Sequence, residues 1–254
     1  MLYSILLDVS MKAAEFTKRN EKFVKRMGKD NEFIKKSRQW LLHSIKHEYS
    51  YHFEWLGLPI IQYPQDIIAY QEIIWNVKPD LIIETGIARG GSLILSASML
   101  QLIGKGQVLG IDIDIRKENL KKIETHFLKK RIKMIQGSSI DKDVVKQVKK
   151  VTKNKKKIIV VLDSNHTHEH VLKELEYYSE FVKKGSYLIV FDTAIEDIPQ
   201  RIMKKSKRPW GKGNNPKTAV KEFLKTNNRF MIDKEIENKL GITVAPNGYL
   251  KCIK

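Results

Sequence analysis

The chain has 254 residues, 42% of them hydrophobic, and carries 47 Lys and Arg against 29 Asp and Glu for a formal charge of +18. That length suits one large domain, or one domain with an appendage, and the apolar content argues against disorder. No apolar run approaches the ~18 residues a membrane span needs. A single cysteine, Cys252, excludes an intramolecular disulfide and any Cys-based zinc site; it is expected as a buried structural thiol.

The start, Met1-Leu-Tyr-Ser-Ile-Leu-Leu-Asp8, lacks a basic region and meets an acid early, so it does not resemble a secretory signal and a cytoplasmic location is expected. The positive charge comes from 38 Lys and only 9 Arg, spread over helical faces such as Lys146, Lys149, Lys150 and Lys153. Specific nucleic-acid contacts draw on Arg, so specific nucleic-acid binding is not expected, whereas weak peripheral contact with anionic lipids or glycolipids stays open.

Residues 1–48 read as a helical, amphipathic extension, with Phe16, Phe23, Met27, Phe33, Ile34 and Trp40 among lysines and acids. It is expected as a packing arm or a contact in a homo-oligomer. Tyr51 to Pro64 reads as an irregular loop, followed by a helix from Asp66 to Val77 with Asp66 as N-cap. From residue 80 onward, strands are expected near 80–84, 107–112, 131–136, 157–163, 186–192, 229–233 and 248–253, with helices between the first five and an antiparallel closing strand. This is an α/β pattern: a Rossmann-like, doubly wound, mostly parallel seven-stranded sheet over 49–254, whose functional residues sit just beyond the strand ends.

The first of those strand ends is the most telling. Leu81-Ile-Ile-Glu84-Thr85-Gly86-Ile-Ala88-Arg-Gly90-Gly91-Ser92 takes a buried strand through an acid into a glycine-rich turn and a helix. Asp112 ends the next strand, 26 residues beyond Gly86, near the place where such folds put a ribose-binding acid. Ala88 breaks the dinucleotide fingerprint and no P-loop occurs. The pattern resembles the S-adenosylmethionine loop of Rossmann-like methyltransferases, which implies Glu84, Thr85, Gly86, Ala88, Gly91, Ser92, Asp112, Ser138 and Asp163 as cofactor residues.

The fourth strand ends in Asp163-Ser164-Asn165-His166-Thr167-His168-Glu169-His170 and the fifth in Phe191-Asp192. An acid with a histidine three residues on, at the mouth of a buried strand, suits metal binding or general-base chemistry. Asp163 and Asp192 suit one hard divalent cation. Asp163 also reads as a helix cap, and His168 and His170 as helix-surface residues. Ala194 to Pro216 lacks periodicity and reads as a long loop over the crevice, with Trp210 placed to stack on a sugar.

Four separated motifs, Trp55 to Asp66, Pro79 to Gly86, Leu162 to His170 and Trp210-Gly-Lys-Gly-Asn-Asn-Pro216, occur in the order found in the cephalosporin hydroxylase and rhamnosyl O-methyltransferase family, which the chain resembles over roughly residues 49–254. The resemblance implies S-adenosylmethionine, often Mg2+, and methylation of a hydroxyl on a saccharide or glycosylated metabolite. It implies Asp163 and Asp192 as metal ligands, Asp163 and His166 as catalytic residues with His166 the base, and Trp210 and His168 on the substrate side. Phe191 departs from it, standing where related enzymes have the first acid of a pair. Two alternatives stay open: a hydroxylase built on His166, His168 and Asp163, and a non-catalytic binding protein on the same fold.

Overall fold

The computed structural model describes residues 11–203 and 207–254. The first ten residues of the expected 1–48 extension, with the start read for a signal, and residues 204–206 of the crevice loop lie outside the described residues. In chain order the elements are α1 (Ala13–Met27), α2 (Asn31–Ile45), β1 (Phe53–Trp55), β2 (Leu58–Ile60), α3 (Pro64–Val77), β3 (Leu81–Thr85), α4 (Gly91–Ile103) and β4 (Gln107–Asp112). There follow α5 (Lys117–Thr125), β5 (Ile132–Gln136), α6 (Lys142–Thr152), β6 (Ile158–Leu162), α7 (His168–Tyr178), β7 (Tyr187–Val190), α8 (Gln200–Met203), α9 (Pro216–Thr226), β8 (Phe230–Ile232), α10 (Lys234–Leu240) and β9 (Tyr249–Cys252).

The main sheet has seven strands in the order β5-β4-β3-β6-β7-β9-β8. β3 pairs in parallel with both β4 and β6, while β9 runs antiparallel to β7 and β8. This is the doubly wound sheet with a reversed closing strand that the alternation predicts. Every residue of β3 and β6 is buried; β6 is apolar on both faces, and β3 is too until it ends in Glu84 and Thr85. Ile82, Val108, Ile159 and Tyr249 face one core with α3 and α4; Leu81, Ile83, Leu109, Val160 and Leu188 face the other with α6, α7 and α9. Cys252 is buried in the second core, as expected for a structural thiol. The winding reverses between β3 and β6, and the crevice opened by that reversal is where such sheets bind ligands.

The helical arm joins this body through both its helices, and Arg38 of α2 donates to the Asp197 carbonyl at 3.1 Å. Asp30 caps α2 by accepting from the Phe33 amide, and Ser44 near its end lies 2.8 Å from the Tyr63 hydroxyl. Trp40 packs edge-on against Tyr49 and Tyr63. α1 lies against α10, where Gly28 fits beside the Asn238 side chain, and none of its own residues is buried.

Two local expectations are corrected. The 51–64 segment is not wholly irregular: β1 and β2 form a short antiparallel hairpin. Leu56 and Gly57, both at positive φ (47° and 87°), turn it with a twist that matches the strands. Asp66 is not an N-cap. α3 begins at Pro64, whose missing amide costs nothing in the first turn, and no side chain caps it. The Asp66 carboxylate is instead fully buried, accepting from the Tyr249 hydroxyl at 2.6 Å, the Thr243 hydroxyl and the Val244 amide at 3.0 Å. The segment leading into β9 crosses this end of α3, and its three donors claim the carboxylate.

Replacing Asp66 by Ala strands those donors in the core, and urea denaturation should record a loss of about 2–4 kcal/mol. Burial pushes the Asp66 carboxyl up to about 6 despite its hydrogen bonds. The native chain therefore holds a proton that the unfolded chain has released. This group lowers stability as pH rises from about 4 to about 6 and adds no further change above. Denaturation series from pH 4 to 7 should give a flatter profile for Asp66→Asn than for wild type.

Candidate active site

The carboxyl ends of β3, β4, β5 and β6 surround a crevice of about 290 Å³ lined by Gly86, Ala88, Asp112, Ser138, Asp163 and Trp210, together with Ser139, Ser164, Asn165 and His170. Six of the residues singled out in the sequence thus meet in one place. Gly86 is required there by contact as well as conformation: its φ is +89°, and a Cβ would fall 2.2 Å from the carbonyl oxygen of Asp163. Asp112 braces the loop, its carboxylate accepting from the amides of Ile87 (2.7 Å), Ala88 (3.3 Å) and Asp114 (2.9 Å). It therefore shapes the turn after β3 as well as presenting an acid to the crevice.

Glu84, Thr85, Gly91 and Ser92 do not line this crevice; they lie beneath it. Thr85 is fully buried, Ser92 donates to Glu84, and Gly91 lets α4 approach β2, since a Cβ would stand 2.3 Å from the Pro59 carbonyl oxygen. The reason is the depth of β3, which ends inside the sheet before the chain rises to Gly86. Glu84 shares a small buried void with Gln62, Asp66, Asp163 and Phe191. Burial pushes its carboxyl up to about 7, and only the Ser92 hydrogen bond pulls the other way.

At the mouth, Asp163, His166 and Asp192 offer ligand atoms that lie within 4.8 Å of one another. β6 delivers Asp163, the turn into α7 delivers His166, and Asp192 follows β7 with the left-handed φ of +56°. His166 Nε2 lies 3.1 Å from Asp192 Oδ2, and Gln62 donates to Asp163 Oδ2 at 3.1 Å. Burial, and then the carboxylates of Asp192, Glu84 and Glu174, hold the Asp163 carboxyl well above the usual carboxylate range. So many acids about one histidine is a donor set that a hard divalent cation relieves, and oxygen ligands of this kind suit Mg2+. The Trp210 ring stands edge-on to His166, 4.9 Å away at 87°, and the Arg208 guanidinium lies over the indole, 5.3 Å from its ring centre. The stretch around Trp210 is pinned: Gly213 and Asn215 donate to Glu196, and Asn214 donates to the Pro209 carbonyl.

Phe191, at the position of the missing acid, is buried and packs edge-on to Tyr249 at 6.5 Å. The site accordingly has two carboxylates and a histidine. His168 is corrected from the substrate side to a packing role: its Nδ1 lies 2.8 Å from the Thr218 hydroxyl and its Nε2 3.3 Å from Glu222, both on α9. At this position α7 presents its side chain to α9.

His170, expected on a helix surface, lines the crevice instead. Its Nε2 lies 3.0 Å from Ser139 Oγ, and Ser139 and Ser164 both donate to the fully buried Glu174 at 2.6 and 2.8 Å. Tyr178 completes the network through the Ser139 carbonyl. A signal existed: Glu174 occupies an apolar position of the Val171, Leu175, Tyr178 periodicity, and an acid on a buried stripe marks a polar network.

Residues 47–253 match the family model described as rhamnosyl O-methyltransferase/CmcI. The rhamnosyl O-methyltransferase of Mycobacterium tuberculosis (strain H37Rv) is 30% identical over 201 residues, covering 77% of this chain and 76% of that one. That of Mycobacterium leprae is 28% identical over 200 residues, covering 77% and 81%. Among solved structures, apo CmcI superposes with a TM-score of 0.54 at 19% identity, covering 80% of this chain and 77% of that one. An O-methyltransferase from Bacillus cereus in complex with SAH gives 0.50 at 14% identity, covering 89% and 92%. These two likenesses speak for the fold; the family match speaks for descent. The chain belongs to the rhamnosyl O-methyltransferase/CmcI family of S-adenosylmethionine-dependent methyltransferases.

Proposed function

We propose that the chain transfers the methyl group of S-adenosylmethionine to a hydroxyl of a saccharide or glycosylated metabolite, with His166 as general base. The convergence of Asp163, His166 and Asp192 at the mouth of the crevice carries this reading. Mycobacterial relatives named for rhamnosyl O-methylation support the acceptor class. A CmcI structure with Mg and SAM supports the cofactor and the cation.

The residues divide the work. Gly86, Ala88, Asp112 and Ser138 form the cofactor wall, with Glu84 supporting it from below. Asp163 and Asp192 would hold a divalent cation, which when bound supplies positive charge that favours the alkoxide form of an acceptor hydroxyl. With Nε2–H donated to Asp192, the lone pair of His166 lies on Nδ1, free to take the hydroxyl proton. The acceptor oxygen then forms its bond to the methyl carbon as the carbon–sulfur bond breaks. Methyl ether and S-adenosylhomocysteine result, with the proton left on His166. Trp210 offers a flat apolar wall beside the base for a sugar ring. The hydroxylase alternative loses its ligand set, because His168 is engaged by α9 and only one histidine accompanies the carboxylates.

Calorimetry at moderate salt, with and without Mg2+, should show micromolar binding of S-adenosylmethionine; a folded sample that binds none overturns the assignment. In turnover assays on glycoside acceptors, His166→Ala should lower kcat by about 10²–10⁴-fold and leave cofactor affinity within about threefold. Asp112→Ala should weaken cofactor binding about tenfold. Equal effects of both on binding alone would refute the division of roles.

A further inference from the structure

Helix α1 contributes nothing to the core. Its fifteen residues include none that is buried, and it meets the body along one side only, at α10. On another side Phe16 and Phe23 stand two turns apart and are 44% and 45% exposed. Cations border this aromatic pair: the Arg19 guanidinium lies 5.3 Å from the Phe23 ring centre, and Lys18, Lys22 and Arg26 share a surface depression with Phe23.

The charge of this stretch is lopsided. From Lys12 to Lys29 there are seven Lys and Arg against two acids, Glu15 and Glu21. Among the described residues only Lys25 of the seven reaches a carboxylate, at 3.8 Å from Glu235 and on the exposed surface. Glu15 lines the same depression, and the cations there outnumber it four to one. A surface helix gains nothing in the folded monomer from presenting two phenylalanines to water and surrounding them with unpaired positive charge.

We propose that α1 docks the protein onto an anionic bilayer, Phe16 and Phe23 entering the headgroup boundary while Lys18, Arg19, Lys22 and Arg26 meet acidic lipid. Exposed aromatics on one side with Lys and Arg beside them are the composition that binds in the plane of a membrane interface. Each cation near such a surface adds attraction that salt weakens. A second copy is the poorer occupant. It would set the same cations against themselves, and two phenylalanines per chain fall far short of the ~1,200 Å² that a stable interface buries. No helix among the described residues is long and apolar enough to cross a membrane, so the attachment is peripheral. The inference does not depend on the methyltransferase reading.

Vesicle co-sedimentation of the full chain tests it, using phosphatidylcholine alone and phosphatidylcholine with 30% phosphatidylglycerol, at 0.1 and 0.5 M NaCl. Binding is expected to the anionic vesicles only and to fall at high salt. Phe16→Ser with Phe23→Ser should weaken it at least tenfold, as should Lys18→Glu with Lys22→Glu. Lys146→Glu with Lys150→Glu, the same charge change on exposed positions of α6, should change it less than threefold. All these positions are solvent-exposed, and unchanged thermal unfolding verifies that the variants fold. Three results would overturn the proposal: no binding to anionic vesicles; equal loss from the α1 and α6 charge variants, which would assign binding to the diffuse net charge; or a dimer in light scattering that Phe16→Ser with Phe23→Ser dissolves, which would assign the face to a second copy.

Discussion

The carboxyl ends of β3 and β6 come together at Gly86 so closely that no side chain fits between that residue and the Asp163 carbonyl. The site depends on this approach. It brings the acid that follows β6 close to the buried carboxyl of Glu84, beside the crevice lined from the ends of β4 and β5 by Asp112 and Ser138. The Asp163 amide donates to the Thr85 carbonyl at 2.9 Å, and the Phe191 amide to the Leu162 carbonyl at 3.0 Å. The three strand ends are thus stitched one to the next just before their loops depart. A side chain at residue 86 would force β3 and β6 apart and separate the cofactor wall from the acids at the mouth.

That closeness has an electrostatic consequence. Asp163 sits near the buried Glu84 and Glu174 and the half-exposed Asp192, and its ionised form is penalised. Surrounding hydrogen bonds offset part of this: Gln62 donates to Asp163, Ser92 to Glu84, and Ser139 and Ser164 to Glu174. A cluster of acids maintained in a fold of +18 formal charge is not a by-product of composition. It is concentrated where, in the proposed reaction, a cation and a base would serve alkoxide formation, and such clusters are a familiar mark of a functional site. Asp66, a buried acid on the other side of the Glu84 void, is satisfied by three donors instead and holds the β9 approach against α3.

The lysine-rich surface and the acidic mouth serve different ends. Most of the cations lie on exposed helix faces, where they keep the surface solvated. On α1 they coincide with the exposed rings of Phe16 and Phe23, on a helix that has no share in the core.

The parallel sheet, its order of strands and helices, and the crevice residues at strand ends were legible in the sequence because each rests on a local pattern. Short runs of β-branched residues bounded by turns mark β3 and β6, and glycine, aspartate and histidine follow at fixed distances. The depth of those residues was not legible. Glu84 and Ser92 belong to the same motif as Gly86 and Ala88 yet lie beneath the crevice, because position along a strand does not reveal where the sheet surface ends. Asp66 reads as a cap since its sequence neighbours form a helix start; only the long-range arrival of Tyr249, Thr243 and Val244 turns it into a core anchor. His168 and His170 stand two residues apart on α7, so helical rotation sends one to α9 and the other to the crevice. Sequence determined which chemical groups are present and on which elements, since propensity and periodicity act over a few residues. Tertiary structure alone decided which groups meet, because burial and carboxylate clustering are set by contacts between segments far apart in the chain, such as Glu84 with Asp163 and Asp66 with Thr243.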